Sequence, residues 1–336
     1  GLGWQWIFFV NVPVGIVAFV ASFVLIREAK DASAEQRLDL PGLLSSAICL
    51  FALTYGLIEA NAYGWTSGRI VGAFAVAVVM LVAFVLLETH QRLPMLDLSL
   101  FRNRTYTGAN IAVLLVALAM FGVFFFVSLY MQGILGYSAV QTGAAFLPLT
   151  VLIMLVAPIA GKTSDRVGSR WLMTVGMLLV SAQLFYFSRL DENAAYIDLL
   201  PAFLLGGMGM GLVMTPSAAA AVRALPVDKS GVGSAVLNAS RQVGGSMGIA
   251  LMGAIMAHQI GGLKGPEVFR DPSRFVDGFS TSLLVAAVIA LGGAVIGGGV
   301  AAMHYTGMAA LELPAFIVWS PSLVLASIVF GSLFAG

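Results

Sequence analysis

Charge is what this sequence lacks. Charged residues occupy 10% of its 336 positions, against about 25% in an ordinary soluble domain. Lys and Arg number 17 and Asp and Glu 16, so the net charge of +1 offers nothing to nucleic acid. A single cysteine, Cys49, excludes an internal disulfide and leaves the redox compartment open. The three histidines, His90, His258 and His304, stand far apart. No Ser-His-Asp, paired-carboxylate or zinc constellation falls in a plausible pocket, so an enzyme is not expected. Alternating segments of about ten residues are missing too, which excludes a membrane β-barrel.

What remains is 60% hydrophobic and arranged in runs of membrane length. Ten spans are predicted, at roughly 6–26, 40–59, 70–87, 106–131, 142–160, 171–187, 197–222, 232–257, 278–302 and 316–334. Helices are expected because lipid offers no partner to an unpaired backbone group. The fold class is therefore all-α integral membrane, with about ten transmembrane helices. Placing the loop after the first span inside puts twelve Lys and Arg there and leaves five outside, as the positive-inside rule requires. All five tryptophans, Trp4, Trp6, Trp65, Trp171 and Trp319, fall at or near span ends. A multi-pass protein of the inner (plasma) membrane is expected. The chain opens on Gly1 beside an apolar helix, without a signal-peptide n-region, and reads as a truncation.

The segment "GKTSDRVGSRW", Gly161 to Trp171, lies in a short inner loop. Gly161 and Gly168 allow tight turns at helix ends. Asp165 can pair with an arginine, and Arg166 and Arg170 can stay in the headgroup layer. Such a loop can latch two helices in one conformation and release them in another; it can also be an ordinary basic loop that sets topology. On span 232–257, Ser234, Asn238, Arg241, Gly245, Gly248 and Met252 share one helical face. Arg241, two to three turns inside, either lines a cavity or snorkels to the headgroups. Asn110, Tyr130 and Gln132 flank an aromatic-rich helix and suit a greasy, weakly selective pocket. Gly207 and Gly211 have the spacing of close helix packing.

The loop "GKTSDRVGSRW" resembles a signature of the major facilitator superfamily, in the copy carried by the second half of those transporters. Lys162-Thr163 and Ser169 depart from its usual pattern. "WQWIFFVNVPVG" (Trp4–Gly15), "LDLPGLLSSAICLFALTYGLIEANAYGW" and "GVGSAVLNASRQVGGSMGIAL" (Gly231–Leu251) resemble helices of the fourteen-helix drug:proton antiporter branch. The resemblance covers about residues 1–297. It implies that 1–30 is the last helix of a truncated N-terminal bundle, 31–105 two linker helices and 106–297 a C-terminal six-helix bundle. It further implies a partial transporter that, when complete, exchanges lipophilic or cationic small molecules for protons by alternating access. The first five helices of the family pattern, with their proton-coupling residues, have no counterpart here, so a missing N-terminal bundle is the implied partner, beside the lipid bilayer.

Residues 298–336 break this pattern. "AAMHYTGM" resembles one repeat of the MHYT sensor domain, a bacterial membrane domain proposed to bind copper and sense a diatomic gas. The resemblance makes His304 an imidazole ligand and Met303 and Met308 thioether ligands, a set that suits copper. One motif copy supplies too few donors for a complete site, so no cofactor is expected, copper being the possible one. The two resemblances meet between Ala290 and Gly299, within one predicted helix and without a linker, as in a chimeric reading frame or an extra C-terminal helix added by recombination.

Overall fold

The computed structural model describes residues 9, 11–25, 39–91, 94, 96–260, 269 and 271–311. Side chains are described as far as 295, except that of residue 228. The chain divides into two compact units, Gly1–Asp39 and Leu40–Gly336. In the first, helix α1 spans Asn11–Leu25 and buries none of its residues. The span predicted at 6–26 lies partly outside the described residues, of which 15 form this apolar helix.

The described residues of the second unit form helices joined by short connections, with no strand among them. Its helices are α2 (Leu40–Tyr63), α3 (Gly68–His90), α4 (Arg104–Gly133), α5 (Ala139–Ala145), α6 (Leu147–Val167), α7 (Ser169–Phe187), α8 (Tyr196–Arg223), α9 (Ser230–Ile260) and α10 (Pro272–Leu311). Eight stretches among the described residues are long and apolar enough to cross a bilayer. The predicted span 316–334 lies outside the described residues. Two elements differ from the sequence expectation. The span predicted at 142–160 begins earlier and is broken at Phe146, because Pro148 lacks the N–H that would continue α5 into α6. Helix α10 passes its expected end at 302 and runs to Leu311, through the meeting point of the two resemblances. No proline or charge interrupts it there.

Polar side chains set the ends of the helices. Asn103 accepts from the N–H groups of Thr105 and Tyr106 to cap α4, and its amide donates to the Ala224 carbonyl at 2.9 Å. Such a cap contributes about 1 kcal/mol, and this one also fixes α4 against the end of α8. Ser138 and Gln141 form a reciprocal capping box on α5. Gly64 takes φ +87° between α2 and α3, a conformation that other residues rarely adopt.

The core forms around α4, which buries fifteen residues. Helix α9 packs along α4, α7 packs along α8 and α10, and α6 packs along α8. Glycines allow these approaches. A Cβ on Gly244 or Gly248 would lie 2.2 Å or 2.0 Å from the carbonyl oxygens of Leu114 and Leu118 on α4. Gly207 and Gly211 meet Leu149, Leu152 and Val156 of α6, while Gly209 meets Gly176 and Val180 of α7. The close packing predicted for Gly207 and Gly211 is thus present. Outward-facing apolar residues such as Val78 (60% exposed) and Ile159 (64%) leave the surface as greasy as the core, the pattern of a protein that meets lipid.

Candidate functional site

Most of the loop signature is helical. Helix α6 continues through Asp165 and Arg166 to Val167, and α7 starts at Ser169. The whole connection is Gly168, at φ +87° and ψ 146°. The basic character of the segment is thereby carried on helix ends rather than on a flexible loop.

The predicted latch residues reach three neighbours. Asp165 accepts from Nη2 of Arg223, tying α6 to the last turn of α8. Both side chains are 55% exposed, so the pair contributes less than about 1 kcal/mol to stability, and it can break without unfolding the bundle. A Cβ on Gly161 would lie 3.1 Å from Thr215 Cγ2 on α8. Arg170 directs Nη2 to Thr105 Oγ1 on α4 at 3.4 Å. Arg166 is exposed. A cavity of about 500 Å³ opens beside this cluster, with Arg104, Arg170 and Arg223 among its walls. Nearby, Lys229 donates to Asp97, which also caps the turn Leu98–Arg102. That bond to Lys229 holds the Asp97 carboxyl well below the usual carboxylate range.

The predicted pocket residues lie apart. Asn110 is buried; its amide donates to the Tyr106 carbonyl at 2.9 Å and its oxygen accepts from Ser240 at 3.1 Å. Tyr130 is fully buried, donates to the Asp191 carbonyl and stacks on Phe279 at 4.9 Å. Gln132 is exposed near the opposite end of α4 from Asn110. Asn238 and Arg241 do meet: Nη1 donates to Asn238 Oδ1 at 3.2 Å. Nε of Arg241 is buried without a hydrogen-bond partner among the described residues. Met303, His304 and Met308 lie on the helical backbone of α10, with side chains outside those described. Among the described residues no three His, Cys, Asp or Glu come together as a metal site. Sequence reasoning missed Arg223 and Thr105 as partners of the loop, and Arg104 beside them in the cavity wall. The signal available for Arg223 was charge: Asp165 is the lone acid of a basic segment and needs a cation at a helix end.

Two family profiles match the chain. One, described as Major Facilitator Superfamily, covers residues 1–249. The other, MHYT, described as a bacterial signalling protein N terminal repeat, covers residues 297–336. Among curated proteins, the chain is 34% identical to the tetracenomycin C resistance and export protein of Streptomyces glaucescens over 270 residues, 80% of this chain and 49% of that protein. It is 34% identical to the puromycin resistance protein pur8 of Streptomyces alboniger, over 87% of this chain and 58% of that protein. Identity to the multidrug transporter protein MdtP of Bacillus subtilis is 30%, over 78% of this chain and 48% of that protein. The chain spans about half the length of the curated relatives it matches.

Proposed function

We propose that this chain, which belongs to the Major Facilitator Superfamily, supplies the second bundle of a carrier that exports lipophilic or cationic small molecules in exchange for protons. It is a multi-pass protein of the plasma membrane, with eight described stretches able to cross a bilayer. The family is one of transporters, and no catalytic step or resident cofactor enters this reading. Residues 31–105 serve as linker helices and 106–297 as the bundle, with a first bundle as partner across the transport path and residues 1–30 as its last helix. The observation that carries the reading is the latch: Asp165 on α6 held by Arg223 on α8, beside a one-residue turn at Gly168. An exposed ion pair of small net worth suits a contact that opens and closes in each cycle. Arg241 with Asn238 fits a polar step on the transport path, with Asn110, Tyr130 and Gln132 shaping the bundle behind it. The drug-export names of the relatives supply the substrate class.

In a host stripped of its own efflux pumps, expression is expected to raise survival on ethidium and lower its accumulation. Asp165→Asn is expected to cut that gain several-fold while leaving the amount of folded protein unchanged. Verified membrane protein without any gain in resistance would speak against export by this chain.

The match over residues 297–336 favours a second reading for that segment, a copper-binding or gas-sensing repeat. His304, Met303 and Met308 would supply the donors; copper centres usually take three or four. Purified protein is then expected to hold copper near one equivalent per chain and to lose it in His304→Ala. Equal copper in both proteins rules the reading out.

A further inference from the structure

The cavity of about 500 Å³ lies between the ends of α4, α7 and α8, with Gly293 of α10 in its wall. Its chemistry is divided. Arg104, Arg170 and Arg223 line one end, and no carboxylate among the described residues lines any part of it. Arg223 is shared with Asp165. Among the described residues, neither Arg104 nor Arg170 forms an ion pair. Asn103, Thr105, Ser169 and Thr174 add polar groups, and the rest of the wall is apolar, with Ile111, Ala112 and Met177 along it. From Arg104 to Ala112 the α4 wall descends about 12 Å at 1.5 Å per residue. A cluster of guanidinium groups therefore caps a mainly apolar slot that runs down into the bundle. Gly108 stands midway down, and a Cβ there would meet nothing within 4 Å, so the slot is open along that wall.

We propose that this cavity binds a phosphate ester carrying an apolar tail, namely an anionic phospholipid of the leaflet that faces the basic loops. Guanidinium groups match phosphate oxygens with paired N–H donors and remain charged at every physiological pH. Anionic lipid is also enriched on the cytoplasmic face, where each nearby basic side chain adds to its attraction. The apolar slot is what distinguishes this ligand from free phosphate: a soluble anion would leave it empty. Because Arg170 and Arg223 flank the Gly168 turn and the Asp165 pair, a bound headgroup would draw on the same cation that closes the latch. The lipid site stands independently of the export reading.

The test uses the full chain, purified in mild detergent with a mixture of phosphatidylglycerol and phosphatidylcholine and read by native mass spectrometry. Wild-type protein is expected to retain phosphatidylglycerol in preference to phosphatidylcholine. Arg104→Gln with Arg170→Gln is expected to lower that retention about tenfold, the loss of roughly half a decade or more per cation. Gly108→Leu leaves every charge in place and fills open space, so it is expected to displace the lipid without loss of folded protein. Arg189→Gln, at the opposite end of α7, is the charge control and should change nothing. Equal retention of the two lipids, or undiminished phosphatidylglycerol in Gly108→Leu, overturns the proposal. Displacement of the lipid by glycerol phosphate at equal concentration overturns it too, since it would assign the arginines to a soluble anion.

Discussion

Gly248→Leu is expected to leave no stable bundle. A Cβ at Gly248 would lie 2.0 Å from the Leu118 carbonyl oxygen, and one at Gly244 would lie 2.2 Å from that of Leu114. Both obstacles are backbone, so no rotamer change relieves them, and α9 must be pushed off α4. Overpacking a well-filled core by extra methylenes costs about 1–3 kcal/mol even where side chains can adjust; here the displaced helix also forfeits two cross-links. The Tyr106 hydroxyl would lose the Gly233 carbonyl at 3.2 Å, and Ser240 would lose Asn110 at 3.1 Å. In size-exclusion profiles of a fluorescent fusion in mild detergent, the monodisperse peak is expected to vanish. Gly72→Leu on α3, where a Cβ meets nothing within 4 Å, should keep it. An unchanged Gly248→Leu profile would refute the close approach of α4 and α9.

Gln183→Met is expected to act in the opposite direction and stabilise the protein. Gln183 is fully buried in α7, and neither its Nε2 nor its Oε1 has a hydrogen-bond partner among the described residues. It faces α8 at Gly206, where a Cβ would lie 2.2 Å from the amide. An unpaired buried amide costs about 1–3 kcal/mol. Methionine keeps the length and flexibility of the side chain while removing both polar atoms. A gain of about 1–3 kcal/mol is therefore expected, seen as a rise of a few degrees in the thermal midpoint. A fall in the midpoint would show instead that the amide satisfies itself through a buried water, and the site would then be polar by design.

The helices of this protein were readable because the bilayer constrains them so tightly. A crossing needs about 20 apolar residues, and the runs beginning near Leu40, Gly68 and Arg104 supply them without ambiguity. The break at Phe146 was less visible, since an apolar run hides a short helix such as Ala139–Ala145 inside it. The loop signature was legible as a turn because Gly168 is the residue a positive φ demands. Its partners were not. Helical periodicity tells which residues share a face, and says nothing of which helix that face will meet. Asn238 and Arg241 stand three apart on one helix, so their contact could be read directly. Asn110 carried no such information, and its bond to Ser240 spans 130 positions of sequence. On the shared face of α9, Gly245, Gly248 and Met252 all meet α4, at Phe121, Leu118 and Gly122, and Gly244 joins them at Leu114.

The glycine contacts also bear on how these helices can move. Where side chains interlock, neighbouring helices slide by swapping rotamers, each step costing little. Where backbone touches backbone, as at Gly248 against Leu118 and Gly209 against Gly176, there is no intervening side chain to swap. Such seams resist shear and yield only by parting outright. Helices α4 and α9 are thus bound to travel together like a single casting, as are α7 and α8, and any swing in tilt must be absorbed between such pairs or where they join the rest of the chain.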